Sequence, residues 1–214
     1  GFVVARYLAQ AGWSVRVALL GDWDELRGDA LTQAEFWAEH AGPGNANFAR
    51  ATMRPLAPGA VDDEIKLVVD ALFGTGLSRP LDGAARDTLA AVKASALPVV
   101  AVDVPSGVFG DTGEDGGCAP ATLTVTFFRR KPGHLLMPGR RLCGDVVVTD
   151  IGLEPTAASV PVSTWANDPA WWQAAWPALD DDTHKYRRGH VLVYGGGQMT
   201  GAARLAARAA ARVG

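Results

Sequence analysis

The chain lacks most of what would place it in several common classes. Cys118 and Cys143 are its two cysteines in 214 residues, too few for a disulfide framework and without the CxxC spacing of a zinc or redox site. Stability must then come from an ordinary apolar core, and a reducing, cytoplasmic setting is the expectation. Long apolar runs are missing too: nothing approaches the roughly 20 residues that span a bilayer, so no membrane partner is expected. There is no basic excess. Twenty Lys and Arg against 23 Asp and Glu leave a formal net charge of −3, and the short groups Arg129-Arg130-Lys131 and Arg187-Arg188 do not make the electrostatic footprint of a nucleic-acid binder. The four histidines (His40, His134, His184, His190) have no metal-ligand spacing and read as surface or packing residues. No GxxxxGK[ST] phosphate loop, no GxGxxG after a strand and no GxSxG elbow occurs, which removes kinase-type, ordinary dehydrogenase and hydrolase readings of these residues. A small molecule is the partner these absences leave.

What is there is an alternation of helix and strand. Residues 2–12 read as a helix with Val4, Tyr7, Leu8 and Ala11 on one face and Gly12 as its cap, although no N-cap precedes it, so the natural start is expected upstream. Strands are expected at 13–20, 51–56, 65–72, 98–102, 122–128 and 145–149, and helices at 29–41 and 83–95, with Pro43-Gly44-Asn45 ending the first of these. Near-continuous apolar runs such as IKLVVDAL and PVVAV are the mark of strands buried on both faces of a parallel sheet. The fold class is therefore α/β, a doubly wound, mainly parallel, Rossmann-like three-layer sheet. The texture changes after Leu153. Residues 154–161 are rich in Pro, Thr, Ala and Ser, and a Trp-rich segment follows in which Trp171, Trp172 and Trp176 would share one helix face. A fresh strand at 190–194 and an alanine-rich helix at 201–213 then open a second domain. The expected division is 1–163, a linker at 164–183, and an incomplete second domain at 184–214. The oligomeric state, a homo-oligomer included, is left open.

In open α/β sheets ligands bind beyond the carboxyl ends of the strands. Two such ends carry chemistry. At the first, Asp70 closes a strand and the loop Gly74-Thr75-Gly76-Leu77-Ser78-Arg79-Pro80 follows; its glycines let amide groups approach a phosphate and its arginine can fork onto one. A tight turn with a surface arginine uses the same residues, and both readings stand. At the second, Asp103 and Ser106 sit three residues apart on a strand-to-turn transition, where Asp103 is either a general base or a turn cap. Asp70, Asp103 and Ser106 on neighbouring strands offer only oxygen donors, which suits a hard cation rather than zinc.

Four ordered strings, GFVVARYLAQAG, DALFGTGLSRPLDG, AVDVPSGVFGDTG and TFFRRKPGHLLMPGR, closely resemble the NAD(P)H-hydrate epimerase family. The stretch HKYRRGHVLVYGGGQMTGAARLAARAAARVG is similar to the beginning of the ADP-dependent NAD(P)H-hydrate dehydratases, a ribokinase-like fold, and bacterial bifunctional repair enzymes join the two in this order. The resemblance implies a potassium site at Asp70 and Ser106, dinucleotide phosphates at Gly74 to Pro80, and substrate binding and catalysis at Asp103. It further implies a hydrate pocket touching Ala202, NADHX or NADPHX as substrate, and ADP or ATP as co-substrate of the dehydratase half. Some relatives carry a lysine in the loop after the first aspartate; this chain has Arg79 in that region, and it reads as a phosphate clamp rather than a proton carrier. The alternative is a non-catalytic nucleotide- or protein-binding module of the same fold; tight hydrate binding without turnover would mark it.

Overall fold

The computed structural model describes residues 1–42, 44–46, 48–154, 162–176 and 180–213. Pro43 of the expected helix break, and residues 155–161 of the expected boundary stretch, lie outside these. The chain divides into two compact units, Gly1–Pro161 and Val162–Gly214.

The first unit is α/β with parallel sheets. Among the described residues its strands are β1 (Arg16–Leu19), β2 (Thr52–Pro55), β3 (Val68–Asp70), β4 (Val99–Val102), β5 (Leu123–Phe127) and β6 (Asp145–Thr149), and its helices are α1 (Phe2–Gln10), α2 (Gly28–His40), α3 (Gly83–Ser95) and the single turn α4 (Gly139–Leu142). Every strand pair is parallel. Instead of one continuous sheet, the strands form a pair, β1-β2, and a four-stranded sheet in the order β3-β4-β5-β6. The expected strand at 65–72 shrinks to three residues because the acidic run before it turns: the Ile65 amide bonds the Asp62 carbonyl at 3.1 Å.

Periodicity explains which faces are buried. Along α3, Ala85, Thr88, Leu89 and Val92 are buried, the i, i+3, i+4, i+7 spacing of one helix face. Of these, Leu89 and Val92 meet Val99 and Ala101 of β4 and Ala119 and Ala121 before β5 in the main core. A separate cluster of Ala5, Ala9, Trp37, Phe48 and Ala51 holds α1 and α2 together beside the β1-β2 pair. In β5 the residues buried on the alternate face are threonines, Thr124 and Thr126, both fully inaccessible. Burial of a hydroxyl requires a partner; Thr124 donates to the Cys143 carbonyl at 2.6 Å, and Thr126 points at the site described below.

The second unit contains a one-turn helix α5 (Pro169–Trp172), capped by Asp168, and the helix α6 (Gly201–Val213). Trp165 packs edge-on against Trp171 and Trp172 tilts against Trp176, so the tryptophans stack as two pairs rather than along one helix face. The strand expected at 190–194 does not form: no ladder bond is made there, and Leu192 and Tyr194 are 92% and 96% exposed. A strand exists only through its neighbours' backbone groups, and none of the described strands lies in this unit.

Candidate functional site

Parallel pairing of β3 with β4 sets Asp70 opposite Ala101, so Asp70 and Asp103 emerge at the same, carboxyl, edge of the four-stranded sheet. Their surroundings differ. Asp70 is 3% exposed and turned inward, where its Oδ1 accepts from the Ser106 hydroxyl at 2.6 Å and its Oδ2 from the Ser106 amide at 2.8 Å. The Ser106 oxygen in turn accepts from the Phe73 amide at 2.9 Å and lies 3.2 Å from the Phe73 carbonyl oxygen. A carboxylate, a hydroxyl and a carbonyl thus converge on one buried point. Burial pushes the Asp70 carboxyl above its ordinary range, against the opposing pull of the Ser106 and Leu72 hydrogen bonds. The turn that delivers Ser106 requires glycine next: Gly107 has φ +103, and a Cβ there would stand 2.7 Å from the Cys118 amide nitrogen.

Asp103 is held quite differently. Its backbone takes the left-handed conformation, φ +71, which costs a non-glycine residue about 1–3 kcal/mol and persists only where neighbours over-determine it. Those neighbours can be named. The Asp103 amide donates to the Val125 carbonyl at 2.7 Å, and its carbonyl accepts from His134 Nε2 at 2.9 Å. His134 Nδ1 accepts the Lys131 amide at 3.0 Å, so the ring must be the neutral Nε2–H tautomer. Burial, which lowers the His134 pKa, favours that same state. Of the side-chain oxygens, Oδ1 accepts from Thr126 at 2.9 Å and forms a very short ion pair with Lys131. Burial acts to raise the Asp103 carboxyl pKa, but the Lys131 and Thr126 hydrogen bonds, the Lys131 charge and the Thr75 amide together hold it below the usual carboxylate range.

Asp103 opens onto a cleft of ≈530 Å³, whose walls include Phe127, Phe128, Arg129, Arg130, Lys131 and Leu153. Phe128, also left-handed at φ +65, carries the Arg129 guanidinium 4.5 Å above its ring. Gly74 borders Asp103 closely: a Cβ on it would sit 3.2 Å from Asp103 Oδ2, and one on Gly110 would sit 3.3 Å from Thr75 Cγ2. The glycine loop therefore divides. Gly74 and Thr75 lie beside the carboxylate, Leu77 packs on the main core, and Gly76, Ser78, Arg79 and Pro80 face solvent. Arg79 is 78% exposed, 3.9 Å from Asp82. Ala202 is exposed on α6 in the second unit.

Sequence reasoning brought Asp70, Ser106, Gly74 and Asp103 to one sheet edge but missed Lys131, Thr126 and His134. Thr126 was legible as an inward position of β5. Lys131 and His134 gave no signal, since a lysine in a basic triplet and a lone histidine look like surface residues until the chain after β5 folds back. Among the described residues no three His, Cys, Asp or Glu side chains come together as a metal cluster.

Carboxylates and a glycine turn at the carboxyl edge of a parallel sheet define the class as an α/β protein with a candidate site at that edge. Comparison with known proteins narrows the class. Residues 1–133 match the model of the YjeF-related protein N-terminus. The chain is 36% identical, over its full length, to the bifunctional NAD(P)H-hydrate repair enzyme Nnr of Moorella thermoacetica, covering 41% of that protein, and 37% identical to the one from Coxiella burnetii, covering 42% of it. With the NAD(P)H-hydrate epimerase of Rhodobacter capsulatus it shares 40% identity over 72% of this chain and 68% of that enzyme. The chain belongs to the YjeF-related N-terminal family. It spans about two fifths of the length of the bifunctional relatives it matches.

Proposed function

We propose that the first unit catalyses epimerisation of the R and S hydrates of NADH and NADPH. The substrate is a nicotinamide ring that has added water, leaving a hydroxyl on the carbon beside the ring nitrogen. The nitrogen lone pair expels the hydroxyl, which departs as water after taking a proton, and an iminium remains. Water then adds to the other face, loses a proton, and returns the electron pair to nitrogen. One carboxyl group serves both directions: ionised at rest, it takes up a proton from solvent, gives it to the leaving oxygen, and takes one back from the entering water. The observation that carries this reading is Asp103: a strained backbone and an anchored carboxylate at the edge of a cleft, in a chain similar to named epimerases.

The rest of the reading follows the same site. Gly74 to Pro80, with Arg79 as clamp, receive the dinucleotide phosphates. Asp70, Ser106 and the Phe73 carbonyl suit potassium, a weakly demanding cation that takes oxygen donors, which would orient the two loops and offset phosphate charge. The two sheets are read as halves of one doubly wound, Rossmann-like sheet, in keeping with the close approach of Gly1 at the start of α1 to Ala71 just past β3. Residues 184–214 are read as the opening of a ribokinase-like dehydratase domain that removes water from the S hydrate with ADP or ATP and contributes Ala202 to its hydrate pocket. Two buried free thiols and the absence, among the described residues, of any helix long and apolar enough to cross a membrane suit a cytoplasmic enzyme with a small-molecule partner.

The test is the relaxation of purified R-hydrate of NADPH to the R/S mixture, followed by chromatography with the full-length protein in potassium buffer. The expected result is acceleration over a protein-free blank, weaker when sodium replaces potassium. A rate equal to the blank from folded protein would refute the reading.

A further inference from the structure

Lys131 is the residue of this site that has no assigned role. A lysine in a basic triplet normally extends its ammonium into water along an apolar stem. Here the chain turns back. Lys131 Nζ contacts Asp103 Oδ1, donates to the Thr126 hydroxyl at 2.8 Å, and reaches the Phe127 carbonyl at 3.3 Å; its side chain is 23% exposed and that of Asp103 19%. An ammonium has three donors, and all three end on protein acceptors. Oδ1 accepts a second bond from Thr126, so that oxygen is fully occupied. The other oxygen, Oδ2, is the one beside Gly74.

We propose that Lys131 is a positioning residue for Asp103: with Thr126 it anchors Oδ1, so that Oδ2 alone is presented to the ligand that fills the cleft. The inference rests on the epimerase reading for what Oδ2 does, but not for the anchoring itself. A carboxylate free to rotate would offer either oxygen in many orientations, and fixing one oxygen on two donors removes that freedom before the ligand arrives. The same contacts stabilise the ionised form, since an ammonium and a hydroxyl both bond the charged carboxylate. Other groups at Asp103 are the Thr75 amide from the β3 loop and neutral His134 at its backbone carbonyl, while Arg129 and Arg130 line the same cleft. Asp70, on the neighbouring strand, is committed to Ser106.

The experiment uses the full-length protein, its Lys131→Met and Lys131→Arg variants, and two readouts. Carboxyl-carbon NMR titration of Asp103 needs no substrate: the midpoint should move up in Lys131→Met and stay near wild type in Lys131→Arg. In the epimerisation assay, the inflection of the rate–pH profile belonging to Asp103 should move the same way, with KM unchanged. If the titration shifts but wild-type protein shows no epimerisation, the anchoring stands and the functional reading falls. An unshifted midpoint in folded Lys131→Met, or a raised KM with an unmoved inflection, overturns the proposal and makes Lys131 a substrate clamp. Should Lys131→Met fail to fold, Thr126→Val removes the other donor to Oδ1 and must raise the midpoint for the proposal to hold.

Discussion

Replacing Ser106 by alanine perturbs the most buried part of the site. The hydroxyl donates to Asp70 Oδ1 and accepts from the Phe73 amide. Its removal takes a charge-assisted bond from a buried carboxylate, about 1.5–3 kcal/mol, and leaves a part-buried amide unpaired, about 1–3 kcal/mol. The two losses together come to roughly 2.5–6 kcal/mol, a large fraction of the ~5–15 kcal/mol that holds a domain folded. With urea m-values of about 1–3 kcal/mol/M, the unfolding midpoint should fall by at least ~0.8 M. Hydrogen exchange adds a local signature, because the Phe73 amide should lose protection selectively. The effect also has a pH direction. Burial raises Asp70 above its ordinary value of 3.8, so its contribution to stability is greatest below that value and is lost as pH rises through the higher folded value. Without the hydroxyl that folded value rises further, and the stability gap between variant and wild type should widen from pH 4 to pH 8. A midpoint within about 0.3 M of wild type, or a gap that narrows with rising pH, would refute the convergence of Asp70, Ser106 and Phe73.

Further outcomes follow from the same structure. Burial pushes the Cys118 thiol up to about 12 and the Cys143 thiol up to about 11, so at pH 8 roughly one in 10⁴ and one in 10³ are thiolate; both should resist maleimide in the native state and react on unfolding, which mass spectrometry reads directly. His134 is held neutral in the folded state, its pKa lowered from 6.5 chiefly by burial, and this contribution to stability is present above 6.5 and lost as pH falls through the lower folded value. Protonation would set an N–H of Nδ1 against the Lys131 amide. The stability difference between wild type and His134→Asn, measured by urea unfolding, should therefore shrink as pH drops below 6.5; a constant difference would contradict the neutral tautomer.

How much was legible in the sequence depended on whether the signal was local. The β-branched runs and the i, i+3, i+4 spacing of α3 encode burial directly, and those elements formed close to where periodicity put them. Asp70 and Asp103 were legible because a carboxylate at the end of an apolar strand is rare and topology sends such ends to one edge. Pairing is a property of neighbours: residues 190–194 have the composition of a strand, yet none of the described strands pairs with them. Lys131 and His134 were hidden for a similar reason. Their role depends on the chain doubling back after β5, under which Gly133 packs so tightly that a Cβ there would lie 2.6 Å from the Phe109 carbonyl oxygen. The aim of Asp103 goes with its backbone conformation, φ +71, which no residue type announces.

The central claim is that Asp103 moves the proton on the hydrate's oxygen. Asp103→Asn keeps the side-chain shape and can still meet Thr126, but it cannot carry a proton through the cycle. In the R-hydrate relaxation assay the full-length variant should lose roughly 10²–10⁴-fold in turnover while substrate still binds. An Asp103→Asn protein that epimerises at the wild-type rate would contradict the account.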